Sequence, residues 1–142
     1  MAQNQSSDDF DWVSAQSQCN VRGMFERLRT RVRDDVLKRN GLLGRADGWR
    51  FEFDGDDDDA FEVARLVGGG SQPNVTGIVT FERSGRRILI HSEDVELDLT
   101  VVIALDPEGV CRFVVGEAMY SDWEIRRMAL EQLFFEEHEE SN

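Results

Sequence analysis

The sequence predicts an α+β fold: an N-terminal helix, a curved antiparallel sheet of five or six strands in meander order, and a C-terminal helix. Two periodicities and a spacing carry this prediction. Apolar residues recur at helical spacing at Val21, Met24, Phe25, Leu28, Val32 and Val36, and again after Ser121. Between those segments, Trp49 to Asp54 and Val95 to Asp106 alternate apolar and polar with period two. Short turns join the strand-like runs, which makes a meander the expected topology.

Residues 1–11 read as a disordered polar leader, and 12–140 as a single domain. The leader has no basic n-region or apolar h-region, so it is not a signal peptide. A helix is expected from about residue 12 to 40, with a break near Cys19 to Gly23, because Trp12, Ala15 and Cys19 fall on a different face from the Val21–Val36 stripe. Lys38 and Arg39 suit its negative end, and Asn40-Gly41 offers a left-handed cap. After a linker, Leu42 to Gly48, Trp49, Phe51 and Phe53 face one way in a half-buried strand, and Gly55 to Asp59 forms a turn. Ala60 to Val67 fits either a short helix capped by Asp59 and Glu62 or a returning strand; the Phe61/Val63 alternation favours the strand.

Gly68 to Ser71 reads as a flexible connection ended by Pro73. Val75 to Arg83 and Arg86 to Ser92 form a hairpin around Ser84-Gly85. In Val95 to Asp106, Val95, Leu97, Leu99, Val101, Ile103 and Leu105 share one face, which must be the core face, since a one-residue slip would expose all six. Asp106-Pro107-Glu108-Gly109 is a turn, and Val110 to Glu117 returns. Ser121 and Glu124 form a capping box that starts a helix running to about Glu137.

Composition narrows the function classes. A hydrophobic content of 40% supports a real core, and no apolar run is long enough to span a membrane, so a cytoplasmic protein is the expectation. The net charge is −13, with one lysine, fifteen arginines and 29 acids. A GC-rich or salt-adapted genome imposes such a bias on all its proteins; whatever its origin, the field repels nucleic acids and anionic membranes. Within this acidic chain, residues 22–39 carry seven basic side chains against three acids. Cys19 and Cys111 lack any CxxC spacing and read as two partly buried free thiols, with a disulfide or a metal site as the alternatives.

No catalytic or metal motif is complete. Threaded as an EF-hand loop, Asp54, Asp56 and Asp58 occupy ligand positions, but Asp59 stands where the turn needs glycine and Arg65 where the bidentate glutamate belongs. The run reads as a solvated hairpin tip, and neither metal nor cofactor is expected. His91 and Glu93, two apart in a strand, could orient one another as a base in a pocket between sheet and helices. In the first helix, Arg22, Arg29 and Arg33 line one edge of the apolar stripe and Arg27, Arg31 and Lys38 the other, which suits a helix lying on an acidic sheet better than one reading DNA. In the last helix, Ile125, Met128, Ala129 and Leu133 form the core face, whereas Trp123, Leu130 and Phe134 lie nearly opposite. That second apolar face predicts another surface to bury against, either a partner or the chain's own curling sheet.

In size, acidity and helix–sheet–helix order the chain resembles the small type III secretion chaperones, acidic dimers that wrap an unfolded segment of a client. The resemblance rests on architecture without a motif, and that family places a helix in mid-sheet where this chain reads as strands. It implies a non-enzymatic chaperone or adaptor, with a protein partner or a second copy (a homodimer) meeting Trp123, Leu130 and Phe134 and the Arg27/Arg31 edge. No nucleic acid or membrane partner is expected. The other reading is a small-ligand-binding or enzymatic domain built around His91 and Glu93.

Overall fold

The computed structural model describes residues 9–44, 48–68 and 72–136. Helix α1 spans Trp12–Gln18 and α2 spans Val21–Leu42. Seven strands follow: β1 Trp49–Asp57, β2 Ala60–Val67, β3 Asn74–Ser84, β4 Arg87–Ser92, β5 Leu97–Leu105, β6 Cys111–Val115 and β7 Ala118–Tyr120. Helix α3, Asp122–Phe135, ends the described chain. The leader residues 1–8, the linker residues 45–47, the glycine-rich residues 69–71 and the tail 137–142 lie outside the described residues.

The strands form one antiparallel sheet in the order β1 to β7, each paired with its neighbours in sequence. The meander is as expected, but the described residues form seven strands rather than five or six. The extra one is β7, which follows a turn at Gly116-Glu117; Gly116 has φ +62°, so the chain doubles back at the end of the expected Val110 to Glu117 strand, over residues to which the sequence pattern assigns no element. Residues 60–67 form a strand.

Period-two alternation builds the inner face row by row. Phe61, Phe81, Ile90 and Leu99 stand opposite one another across four strands. Phe61 and Phe81 stack at 4.6 Å, and Phe25 of α2 adds a ring at 5.1 Å from Phe61. Each such fully buried side chain contributes about 1.5–3 kcal/mol. Onto this face α2 presents Met24, Phe25, Leu28, Val32 and Val36, the stripe read from the sequence. The outer face carries the intervening row Glu62, Thr80, His91 and Asp98.

Helix α2 breaks from α1 at Cys19, as expected, with Asn20 accepting from the Gly23 N–H as its N-cap. At the other end the expected left-handed cap does not form. The helix runs on to Leu42, and Asn40 turns its side chain on the sheet edge. Its amide donates to the Phe51 carbonyl and accepts from the Phe51 N–H, both at 2.9 Å. One amide thus occupies the outward N–H and C=O of Phe51 on edge strand β1, groups that could otherwise pair with another chain. The acidic hairpin tip is held in a related way. Arg29 donates to the carbonyls of Gly55 (2.7 Å), Asp57 (2.8 Å) and Asp58 (2.9 Å) while its guanidinium lies 5.5 and 5.3 Å from the centres of the Phe25 and Phe61 rings. A Cβ at Gly55 would lie 2.5 Å from the Phe53 ring, so only glycine allows this approach.

The cysteines are not free thiols. Cys19 and Cys111 form a disulfide, with Cα atoms 5.4 Å apart, that ties the α1–α2 junction to the start of β6. Two contacts support the same corner: Phe10 packs on Gly109, and Asp11 caps α1 by accepting from Ser14 N–H and Oγ. Part of the predicted leader is therefore structured.

Candidate functional site

The capping box starts α3 as its sequence implies: the Glu124 carboxylate accepts from the Ser121 N–H (2.8 Å) and Oγ (3.0 Å). From there α3 lays Ile125, Ala129 and Leu133 on the sheet, with Met128 partly buried beside them. Its opposite face is covered by the chain itself. Leu130 and Phe134 are only 2% and 6% exposed, and the Phe134 ring meets Phe51 of β1 at 4.7 Å. Of the three residues assigned to an intermolecular face, Leu130 and Phe134 are thus core; Trp123 alone is open, at 56% exposed. The buried pair found its second surface in α2 and β1.

Helices α2 and α3 run in the same direction along this contact. Asp35 of α2 accepts two 2.7 Å hydrogen bonds from Arg126 of α3, and one turn further on Arg39 donates to the Phe134 carbonyl at 2.9 and 3.1 Å. Arg126 also donates to Asp122 at 2.5 Å. Partial burial works against its charge, but the bonds to Asp35 and Asp122 prevail and raise its pKa. The negative end of α3 has no basic residue of its own, so two arginines from other elements take its carbonyls. Arg39 takes Phe134, and Arg65, buried in β2 and set over the Trp49 ring, takes Leu133 at 3.0 Å.

Between the helices lies an open groove of about 380 Å³. Leu130 and Phe134 form its floor, and Leu42, Trp123 and Phe135 stand on its rim at 70%, 56% and 58% exposure. Lys38, Arg39 and Arg127 supply its basic margin, with Arg39 stacked 4.3 Å over the Phe135 ring. At 100° per residue, Arg27, Arg31, Lys38 and Leu42 lie within about 60° of one another on α2. The two predicted arginines therefore extend the groove-side stripe by about three turns beyond Lys38, and both are exposed. Leu42 and Phe135 were not singled out by sequence reasoning, because each sits at a helix end where the periodic signal runs out.

The alternative pocket does not assemble. His91 lies on the outer face of the sheet, away from the helices, with Glu82 at 3.8 Å; Glu93 falls in the exposed turn after β4, because the strand ends at Ser92. Space between sheet and helices is filled by Phe25, Leu28, Phe81, Phe113, Ile125 and Leu133. Among the described residues no three His, Cys, Asp or Glu side chains converge as a metal site, and no helix is long and apolar enough to cross a membrane.

In comparisons with known proteins, no family model, curated protein or solved structure matches this chain at a significant level.

Proposed function

We propose that this chain is a non-enzymatic protein-binding module, an adaptor or chaperone, whose interaction surface is the groove between α2 and α3. The observation that carries the reading is the cluster of Leu42, Trp123 and Phe135 at more than half exposure around one apolar floor. Scattered surface apolars are ordinary, whereas large ones gathered on a concave patch mark recognition sites. Trp123 and Phe135 are the rigid aromatic anchors that dominate association energies, and the charged margin is the polar rim such a site needs. The size, acidity and helix–sheet–helix order that suggested a secretion chaperone agree with a binding role. They do not name a client, and among the described residues the sheet offers no mid-sheet helix for that family's mode of dimerisation.

The test is native mass spectrometry of the chain purified from its own cells, beside a Trp123→Ser/Phe135→Ser variant. The exposed positions predict near-native melting for the variant. A stoichiometric protein companion on wild type that the variant has lost supports the reading. A companion retained unchanged by the folded variant, or wild type purified alone, refutes it.

A further inference from the structure

Charge identifies what this groove takes, on the reading that it is the interaction surface. Among the described residues its lining carries four cationic side chains, Lys38, Arg39, Arg126 and Arg127, against Asp35 and Glu131, in a chain of net charge −13. Arg126 and Asp35 neutralise each other, and Arg39 is spent on the Phe134 carbonyl and the Phe135 ring. Lys38 and Arg127 remain exposed on opposite walls, Arg127 only loosely paired with Glu131 at 3.4 Å. Arg27 and Arg31 continue the cationic stripe along α2.

Shape narrows the occupant further. From Trp123 to Phe135 the groove wall rises about 18 Å at 1.5 Å per residue, three turns of a facing helix. An apolar floor between two walls that each bear cations fits an amphipathic helix with carboxylates on both flanks of its apolar face. The geometry points to an acidic amphipathic helical segment of another protein, apolar at i, i+3, i+4 and i+7, as the occupant of this groove. A second copy is the poorer fit. Around a two-fold axis the patch meets itself, setting Lys38 and Arg127 of one chain against the same cations of the other.

The probes are two fluorescein-labelled helical peptides of about four turns with identical leucine positions, one flanked by glutamates and one by lysines. Anisotropy is read against the full chain at low salt, where surface charge is least screened. The glutamate peptide is expected to bind about tenfold or more tightly than the lysine peptide, and Lys38→Glu/Arg127→Glu is expected to reverse that order. Trp123→Ser/Phe135→Ser should lose both peptides while melting near wild type.

Equal affinity, or a preference for lysine, overturns the charge assignment; if Trp123→Ser/Phe135→Ser still loses both peptides, the groove itself stands. Failure of both peptides to bind removes the groove as a helix site, and the proposed function with it. Self-association that masks the groove and vanishes in the Trp123/Phe135 variant assigns it to a second copy and overturns the proposal.

Discussion

Replacing Cys19 and Cys111 by alanine perturbs the fold at its longest covalent link. The bridge joins residues 92 apart in sequence. In the chain-entropy description, closing a loop of that length in the unfolded state stabilises the native state by about 4.6 kcal/mol at 25 °C. For a chain of this size each kcal/mol corresponds to roughly 3 °C of melting temperature, so the full effect is about 15 °C. Buried Cys19 and half-buried Cys111 would each leave little void as alanine, so loop entropy is the main term. Denaturant unfolding of the wild type, oxidised and reduced, beside Cys19→Ala/Cys111→Ala measures it. Reduced wild type and the double variant should agree, both several kcal/mol below the oxidised chain. A shift under about 1 kcal/mol would refute the account, leaving packing alone to hold α1 and α2 on β6.

Intact mass on protein from its own cells tests whether the bridge forms there. A chain lighter by two hydrogens than the fully reduced one carries it. In a reducing compartment most thiols stay free, so a persistent disulfide requires oxidising surroundings or an exceptional cytosol. Recovery of two alkylatable thiols from freshly lysed cells would show that the cell holds the protein reduced.

Val101 is fully buried at the centre of β5, so Val101→Asp should abolish cooperative folding, because an unpaired buried carboxylate costs several kcal/mol; a near-native thermal transition would refute it. Leu130→Ala should cost about 2–5 kcal/mol of folding stability, whereas Trp123→Ser should leave the unfolding midpoint almost unchanged; equal losses would contradict the placement of these residues as floor and rim. Asp106 accepts from the Val110 N–H, foremost, and from Arg112 and the Glu108 N–H, which holds its pKa below the ordinary aspartate value. Its folded pKa is depressed, so its contribution is present above the unfolded pKa and lost as pH falls through the folded one. A carboxyl titration by NMR should place its midpoint below 3.8 and move it upward in Arg112→Gln; a midpoint at or above 3.8 would refute the bonding.

Local periodicity made most of the fold legible. The stripe from Met24 to Val36, the alternation through Val101, the helix break at Cys19 and the capping box at Ser121 each state their structure within a few neighbouring residues. Features that depend on distant partners were hidden. Asn40 reads as a C-cap until β1 is beside it, where its amide matches the edge backbone of Phe51 better than a turn. Arg65 alternates as an inward residue, yet nothing near it announces that the end of α3 will need a donor. Strand β7 has only three residues, too few to register as an alternation. Cysteine pairing across 92 residues is likewise invisible to spacing.

The same limit shaped the reading of the site. A second apolar face on α3 was correctly a demand for a second surface, but amphipathicity measures only how much must be covered, not by whom. The parallel placement of α2 satisfies most of that demand within the chain by taking Leu130 and Phe134. It also creates a new one, because two helices that end side by side leave Leu42 and Phe135 exposed beyond their contact, with Trp123 at the far end. Buried floor and open rim therefore have one cause. Any substitution that changes the α2–α3 spacing, such as loss of the Asp35–Arg126 tie, should alter binding and stability together, whereas changes at the three rim residues should alter binding alone.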